Sequence, residues 1–289
     1  VKPAPFTYHR AADVAQAISL LAELGDEAKI LAGGQSLVPM MNFRLARPSA
    51  LVDISRIAGL SYLAAGPDGL RIGALTRHRT IETTRDAAVL RDFGVLPRSA
   101  RWIGHYPIRT RGTFGGSIAH ADPASEWCLL AVLLQAEVVL QGPHGRRTVP
   151  AADFFQGYYT TSAEPDEVIV EVRFARRAPS AVLTEFSYRQ GDFAVVAAGV
   201  SVDVTDGRCT SVRVVLGGVG PLPVQIDTAQ LAGQPAGPAT WRAAAAMAAT
   251  QIDPPSDGFG SAGYRRKLAE TLVSRALTEA SQVSGAGGA

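Results

Sequence analysis

The chain has 289 residues, 47% hydrophobic and 19% charged, which is enough for two domains and a substantial core. Its formal net charge of +2 offers no basic field for nucleic acid or an anionic membrane. No run approaches the roughly 18 apolar residues of a membrane span, and the N-terminus has no signal-peptide pattern. Val1 stands where an initiator Met is expected to have been removed or to lie outside the chain, and the Gly/Ala-rich tail at 284–289 is expected to be disordered.

Residues 11–24 predict an amphipathic helix, because Val14, Ile18, Leu21 and Leu24 share one face and Gly25 can end it in the left-handed region. Residues 28–32 predict a buried strand running into Gly33-Gly34. Residues 37–45 then predict a short helix, with Ser36 at or near its cap and Pro39 in its first turn. A second strand is expected at 50–54. The runs 60–65 and 70–74 flank Gly66-Pro67-Asp68-Gly69, a hairpin signal. Residues 80–93 and 96–103 predict helices. A glycine-rich loop at 112–117 precedes a further helix, with Asp122 expected as its N-cap and Pro123 in its first position. That helix runs to about residue 135 and is apolar nearly all round, hence buried. A hairpin at 137–141 and 147–150 and a strand at 167–174 follow. The polar, proline-bearing segment 175–180 marks a domain boundary. Beyond it, 183–189, 194–204 and 209–216 alternate as antiparallel strands around the turn Thr205-Asp206-Gly207-Arg208, before helical runs at 228–231, 239–250 and 262–283.

The two cysteines, Cys128 and Cys209, form no Cys-x-x-Cys pair, and the five histidines show no ligand spacing, whereas an iron–sulfur or structural zinc site takes about four ligands. No metal centre is expected in this chain, and two buried, reduced thiols fit a cytoplasmic protein.

Two glycine sites carry the chemistry. Arg111-Gly112-Thr113-Phe114-Gly115-Gly116-Ser117 can bring the N–H groups of Gly115 and Gly116 close to a bulky anion, and Ala32-Gly33-Gly34-Gln35-Ser36 joins a strand to a helix start, where a phosphate finds free N–H groups. Either alone reads equally as a tight turn; together they suit a pyrophosphate gripped from two sides. Neither matches the dinucleotide fingerprint G-x-G-x-x-G or a P-loop, and no Lys follows either one. Ser117, His120 and Asp122 lack the Gly-x-Ser-x-Gly elbow of a nucleophilic triad. Arg109 and Arg111 are open to phosphate or to solvent. Glu126 reads either as an acceptor from a ribose hydroxyl or as a first-turn acid favoured by the helix dipole.

These two sites, with His120-Ala121-Asp122-Pro123, Ile72-Gly73-Ala74, Gly157-Tyr158, Arg189-Gln190-Gly191-Asp192-Phe193-Ala194 and Gly263-Tyr264-Arg265-Arg266, resemble the FAD-binding medium subunit of the molybdenum hydroxylases, the group of xanthine, CO and nicotine dehydrogenases. The resemblance runs in order over nearly the whole chain. It implies an α+β fold: a two-lobed FAD-binding domain of the vanillyl-alcohol-oxidase (PCMH) type over 1–176, with lobes 1–56 and 57–176. A C-terminal domain over 177–289 would hold a three-stranded antiparallel sheet and helices. It also implies that Ala32, Gly33, Gly34, Gln35 and Ser36, with Thr113, Phe114, Gly115, Gly116 and Ser117, hold the pyrophosphate. Glu126 falls where the family carries an acid on the adenosine ribose, and Ile103 and Ile169 where apolar residues touch the cofactor. Asp192 and Phe193 lie in a loop near the flavin. The chain departs from the family in reading His105-Tyr106-Pro107-Ile108-Arg109-Thr110 before the second glycine site, in Phe114 where Ile is usual, and in having no Lys near Ser187 and Tyr188.

The function implied is electron transfer through non-covalently bound FAD, from iron–sulfur (2Fe-2S) clusters on a small partner subunit to an external acceptor. A large partner would carry the molybdenum cofactor, in a cytoplasmic dimer of heterotrimers, with no nucleic acid and no membrane span. No catalytic residue is singled out in this chain. A self-contained FAD oxidase or reductase, and a cofactor-free assembly subunit, are the alternatives.

Overall fold

The computed structural model describes residues 2–286. A small first lobe contains β1 (Thr7–Arg10), α1 (Val14–Leu24), β2 (Ala28–Leu31), α2 (Leu37–Asn42) and β3 (Ala50–Asp53), with β3 lying between β1 and β2 and parallel to both. Helix α1 begins where the Asp13 carboxylate accepts from the Gln16 N–H at 2.8 Å. It ends at Gly25, whose φ of 71° lies in the region that favours glycine. Ala17, Ile18 and Leu21 are its buried face.

The second lobe contains β4 (Leu63–Gly66), β5 (Gly69–Gly73), α3 (His78–Glu82), α4 (Ala87–Asp92), α5 (Val95–Ser99), α6 (Tyr106–Arg111), α7 (Phe114–His120) and α8 (Glu126–Leu133). It continues through β6 (Glu137–Gly142), β7 (Gly145–Pro150), α9 (Ala151–Phe154), β8 (Phe155–Gly157), β9 (Thr160–Thr161) and β10 (Val168–Phe174). Its main sheet has the order β4-β5-β10-β6-β7 and is antiparallel. Phe114, Trp127 and Phe174 form the aromatic centre of its core, Phe114 lying 4.9 Å from Trp127 and 6.1 Å from Phe174 between ring centroids.

The third unit contains β11 (Val182–Phe186), β12 (Val196–Thr205), β13 (Arg208–Gly217), β14 (Val224–Ile226), a 3-10 turn at Ala229–Leu231, α10 (Pro238–Thr250) and α11 (Ala262–Ala286). Helices α10 and α11 pair with each other, and α11 packs on β11 and β12. Helix α8, buried along its whole length, also packs against β12 and β13 and ties this sheet to the second lobe. Gly199 makes room for it, since a β-carbon there would lie 2.4 Å from Leu129 Cδ2.

The C-terminal sheet has four strands, not the three expected. The fourth, β14, pairs Val224, Gln225 and Ile226 with Leu216, Val215 and Val214. Three residues hemmed in by Pro221, Pro223 and Asp227 are too short to show an alternation. Strand β1 escaped notice for a related reason, as Thr-Tyr-His-Arg is an edge strand without an apolar face. The helix expected over 80–93 is two, because Asp86 accepts from the N–H groups of Ala88 and Val89 and starts a new one. Asp122 does not cap α8. It accepts from Ala124 N–H at 2.8 Å in the preceding turn, and the N-cap lies three residues later, at Ser125, with the helix beginning at Glu126. The C-terminal helix reaches Ala286, into the segment expected to be disordered; residues 287–289 lie outside the described ones.

Candidate functional site

The first glycine site forms the open end of the first lobe. Gly34 has φ 71°, which turns the chain from β2 toward α2. Among the described residues, the five consecutive N–H groups from Gly33 to Leu37 donate to no protein acceptor. The Ser36 hydroxyl stands at the N-cap position of α2 without making a cap hydrogen bond. The Gln35 side chain folds back, its Nε2 donating to the Gly33 carbonyl at 3.1 Å. Residues 32–37 are all half-buried, so this row of donors stays accessible, and successive free N–H groups are the backbone arrangement that binds anions.

The second glycine site is not a loop. Thr113 is the N-cap of α7, and Gly115 and Gly116 lie in that helix's first turn. All four N–H groups of the turn are engaged: Phe114 donates to Thr76 O at 2.8 Å, Gly115 to Ala74 O at 2.9 Å, and Gly116 and Ser117 to Thr113 Oγ1 and O, each at 3.1 Å. The donors expected to face an anion at Gly115 and Gly116 are therefore used within the protein. The Ser117 hydroxyl, half-buried, has no protein partner among the described residues. Phe114 is fully buried, its side chain in the core.

The two sites touch. A β-carbon on Gly33 would lie 2.4 Å from the Arg111 carbonyl oxygen and 2.9 Å from Gly112 Cα, so glycine at 33 allows the first loop to rest on the segment leading into α7. Gly112 in turn rests on His78, whose Nε2 would lie 2.6 Å from a β-carbon there. His78 is buried, and its Nδ1 accepts from Trp127 Nε1–H at 3.0 Å, which places the ring proton on Nε2. Burial, helped by the nearby cations Arg77 and Arg109, pushes its pKa down to about 3, so the ring is neutral. Of the two candidate arginines, Arg109 is occupied: its guanidinium pairs with Glu82 at 3.0 Å and donates to Gly104 O at 2.8 Å. Arg111 is exposed, and Arg77 donates to the Arg111 carbonyl.

Glu126, at the start of α8, is buried, and its carboxyl lies well above the usual carboxylate range, because burial and then Glu185 disfavour its charge. Glu185, on β11, is raised by burial as well, and its Oε2 is enclosed without a hydrogen-bond partner. Ile169 is buried on β10, next to Val170, whose carbonyl accepts from Ala74 N–H at 3.1 Å. Ile103 is half-buried beside the second-lobe core. Asp192 and Phe193 are exposed, Phe193 at 69%, and only their neighbour Gly191 makes a close approach, to His105, where a β-carbon would lie 2.5 Å from Cε1. The geometry thus joins 32–37 to 111–117 and connects 191–193 to the second lobe through His105; Ile169 lies one residue from Val170, the hydrogen-bond partner of Ala74. It adds Arg77, His78 and Glu185, and it gives a packing role to Ala74, which the sequence showed only as part of the motif Ile72-Gly73-Ala74.

The chain resembles known proteins along nearly its whole length. Residues 4–176 match the FAD binding domain in molybdopterin dehydrogenase, and residues 181–280 the CO dehydrogenase flavoprotein C-terminal domain. The chain is 39% identical to the 6-hydroxypseudooxynicotine dehydrogenase complex subunit alpha of Paenarthrobacter nicotinovorans, covering 97% of this chain and 96% of that one. It is 35% identical to the carbon monoxide dehydrogenase medium chain of Hydrogenophaga pseudoflava, covering 96% and 98%. Among solved structures, quinoline 2-oxidoreductase from Pseudomonas putida 86 superposes with a TM-score of 0.93 at 34% identity, covering 98% of this chain and 99% of that one.

Proposed function

Because the chain belongs to the FAD-binding medium-subunit family of the molybdenum hydroxylases, we propose that it is the flavoprotein subunit of such a dehydrogenase, with residues 1–176 as its cofactor-binding part. FAD, when bound, supplies the electron-carrier chemistry; the chain binds, orients and shields it. The observation that carries this reading is the row of N–H groups from Gly33 to Leu37, unengaged and set against the Arg111–Gly112 segment. It fits a diphosphate, which needs several donors and no side-chain bulk. The Ser36 and Ser117 hydroxyls complete the donor set. In place of a free N–H group, Gly115 contributes close packing of α7 on Ala74.

Glu126 is the residue proposed for the adenosine ribose. Held neutral by its surroundings, its carboxyl can donate to a hydroxyl as well as accept from one. Ile103 and Ile169 offer apolar contact, and Asp192 and Phe193 lie in a segment that would border the flavin. The proposed partners are a large subunit with the molybdenum cofactor and a small subunit with 2Fe-2S clusters, assembled as a cytoplasmic dimer of heterotrimers. Denaturing the purified complex tests the core of this reading. Free FAD should appear in the supernatant; a native complex that yields no flavin in either fraction would overturn the function, and flavin retained on the denatured chain would overturn non-covalent binding.

A further inference from the structure

The seam between the two glycine sites holds two cations and no counter-charge. Arg77 is half-buried, and its guanidinium donates to the Arg111 carbonyl, the same oxygen on which Gly33 rests. The backbone of Arg77 also bridges to Thr113, the N-cap of α7, so its position is fixed from both ends. Arg111, exposed, is near enough for its charge to be felt at Arg77. Among the described residues, neither lies within ion-pair distance of a carboxylate. Their neighbours Arg79 and Arg109 both converge on Glu82, so the local acid is already committed.

A half-buried guanidinium with no carboxylate partner, set on the backbone of a second arginine, loses hydration without an offsetting ion pair. Such an arrangement is stable in the apoprotein only at a cost, which a bound dianion relieves. Hydrogen bonds from guanidinium to phosphate oxygen are among the stronger ones available, and the fork geometry suits them. The geometry points to Arg77, assisted by Arg111, as the cationic side of the diphosphate site whose other side is the backbone row at 33–37. This inference rests on the reading of that seam as an FAD diphosphate site. It adds charge to a site otherwise built from uncharged donors, and it makes cofactor affinity dependent on ionic strength.

The test is calorimetric titration of the full chain, stripped of flavin, with FAD at low and high salt, using wild type, Arg77→Gln, Arg77→Lys and Arg111→Gln. Arg77→Gln should weaken FAD binding roughly 10- to 150-fold, the worth of one hydrogen bond between charged groups. It should also flatten the salt dependence, and Arg77→Lys should lose less. The flavin-free melting temperature should change little, because the hydrogen bond lost to the Arg111 carbonyl is offset by removal of a half-buried, unpaired charge. ADP, which carries the diphosphate, should lose affinity in parallel with FAD, whereas adenosine should not. If Arg77→Gln does not fold, Arg111→Gln decides: a flattened salt dependence supports the inference and an unchanged one overturns it. Wild-type affinity and salt dependence in folded Arg77→Gln, or equal losses for ADP and adenosine, overturn it as well. A wild-type chain that binds no FAD would sink the underlying reading instead.

Discussion

Gly115 sits directly on Ala74. A β-carbon at 115 would lie 2.6 Å from the Ala74 Cβ and 2.8 Å from its carbonyl oxygen, the acceptor of Gly115's own N–H. At Gly116 the only close atom is Thr113 Oγ1, at 2.6 Å, the end of a side chain that can turn away. The two glycines therefore differ in purpose. Gly115→Ala should cost about 1–3 kcal/mol by overpacking against backbone that cannot move. Gly116→Ala weakens the Thr113 cap but gains helix propensity, two effects of about 1 kcal/mol each, and should melt close to wild type. Urea denaturation of both variants checks this, and equal losses would contradict it.

The same residues show where the sequence was legible. Strand β2, the turn at Gly34 and helix α2 follow from an apolar run, a glycine pair and a cap residue, all local signals. Helix α7 was not legible, because Phe-Gly-Gly-Ser has poor helix propensity; it forms since Thr76, Ala74 and Thr113 supply acceptors from outside it. The contact between Gly33 and Arg111, and the burial of His78 under Gly112, join residues far apart in sequence that no periodicity connects. Phe193 is the reverse case. An aromatic side chain between two strands favours burial in general, whereas here it is 69% exposed.

His78 should impose an acid limit on stability. Its folded pKa is pushed down to about 3, whereas in the unfolded chain it takes up a proton below about 6.5. The contribution is fully present above pH 6.5 and is lost as pH falls toward 3, with a slope of at most about 1.4 kcal/mol per pH unit. His78→Gln keeps an acceptor for Trp127 Nε1 and does not titrate. Urea melts at pH 5, 6 and 7 should show a shallower acid decline in the variant, whatever its absolute stability. Parallel curves would mean that His78 is protonated in the fold.

Glu185 should act with the opposite sign. Its carboxyl is raised by burial, as is that of its neighbour Glu126, so the folded state keeps protons that the unfolded state releases above about pH 4.5. The stability this contributes is complete below that value and is lost as pH rises through the folded titration. Glu185→Gln removes the charge while keeping the shape, so its stability relative to wild type should grow steadily from pH 5 to pH 8. A difference that does not change with pH would show that Glu185 is ionised in place. Repeating the series with FAD present reports whether the enclosed Oε2 faces the cofactor, because the advantage of Gln should then shrink.

The segment 189–193 should behave as a cover held down at one point. Asp192 N–H donates to the Arg189 carbonyl at 3.1 Å, forming a tight turn, and Gly191, at φ 88°, lets that turn lie flat on His105. Phe193 projects from its end into solvent. Truncating an exposed side chain should leave stability within about 0.5 kcal/mol of wild type. If Phe193 shields the proposed flavin, Phe193→Ala should nevertheless speed its reoxidation by oxygen. Gly191→Ala works by another route: at φ 88° a β-carbon strains the turn itself, and, 2.5 Å from His105 Cε1, it also displaces the turn's contact with that exposed ring. It should reproduce the faster reoxidation with Phe193 still in place, and should open the segment to limited proteolysis. Stopped-flow reoxidation of the two variants, beside a melt of each, separates cover from scaffold. Wild-type reoxidation in both would place the segment away from the flavin.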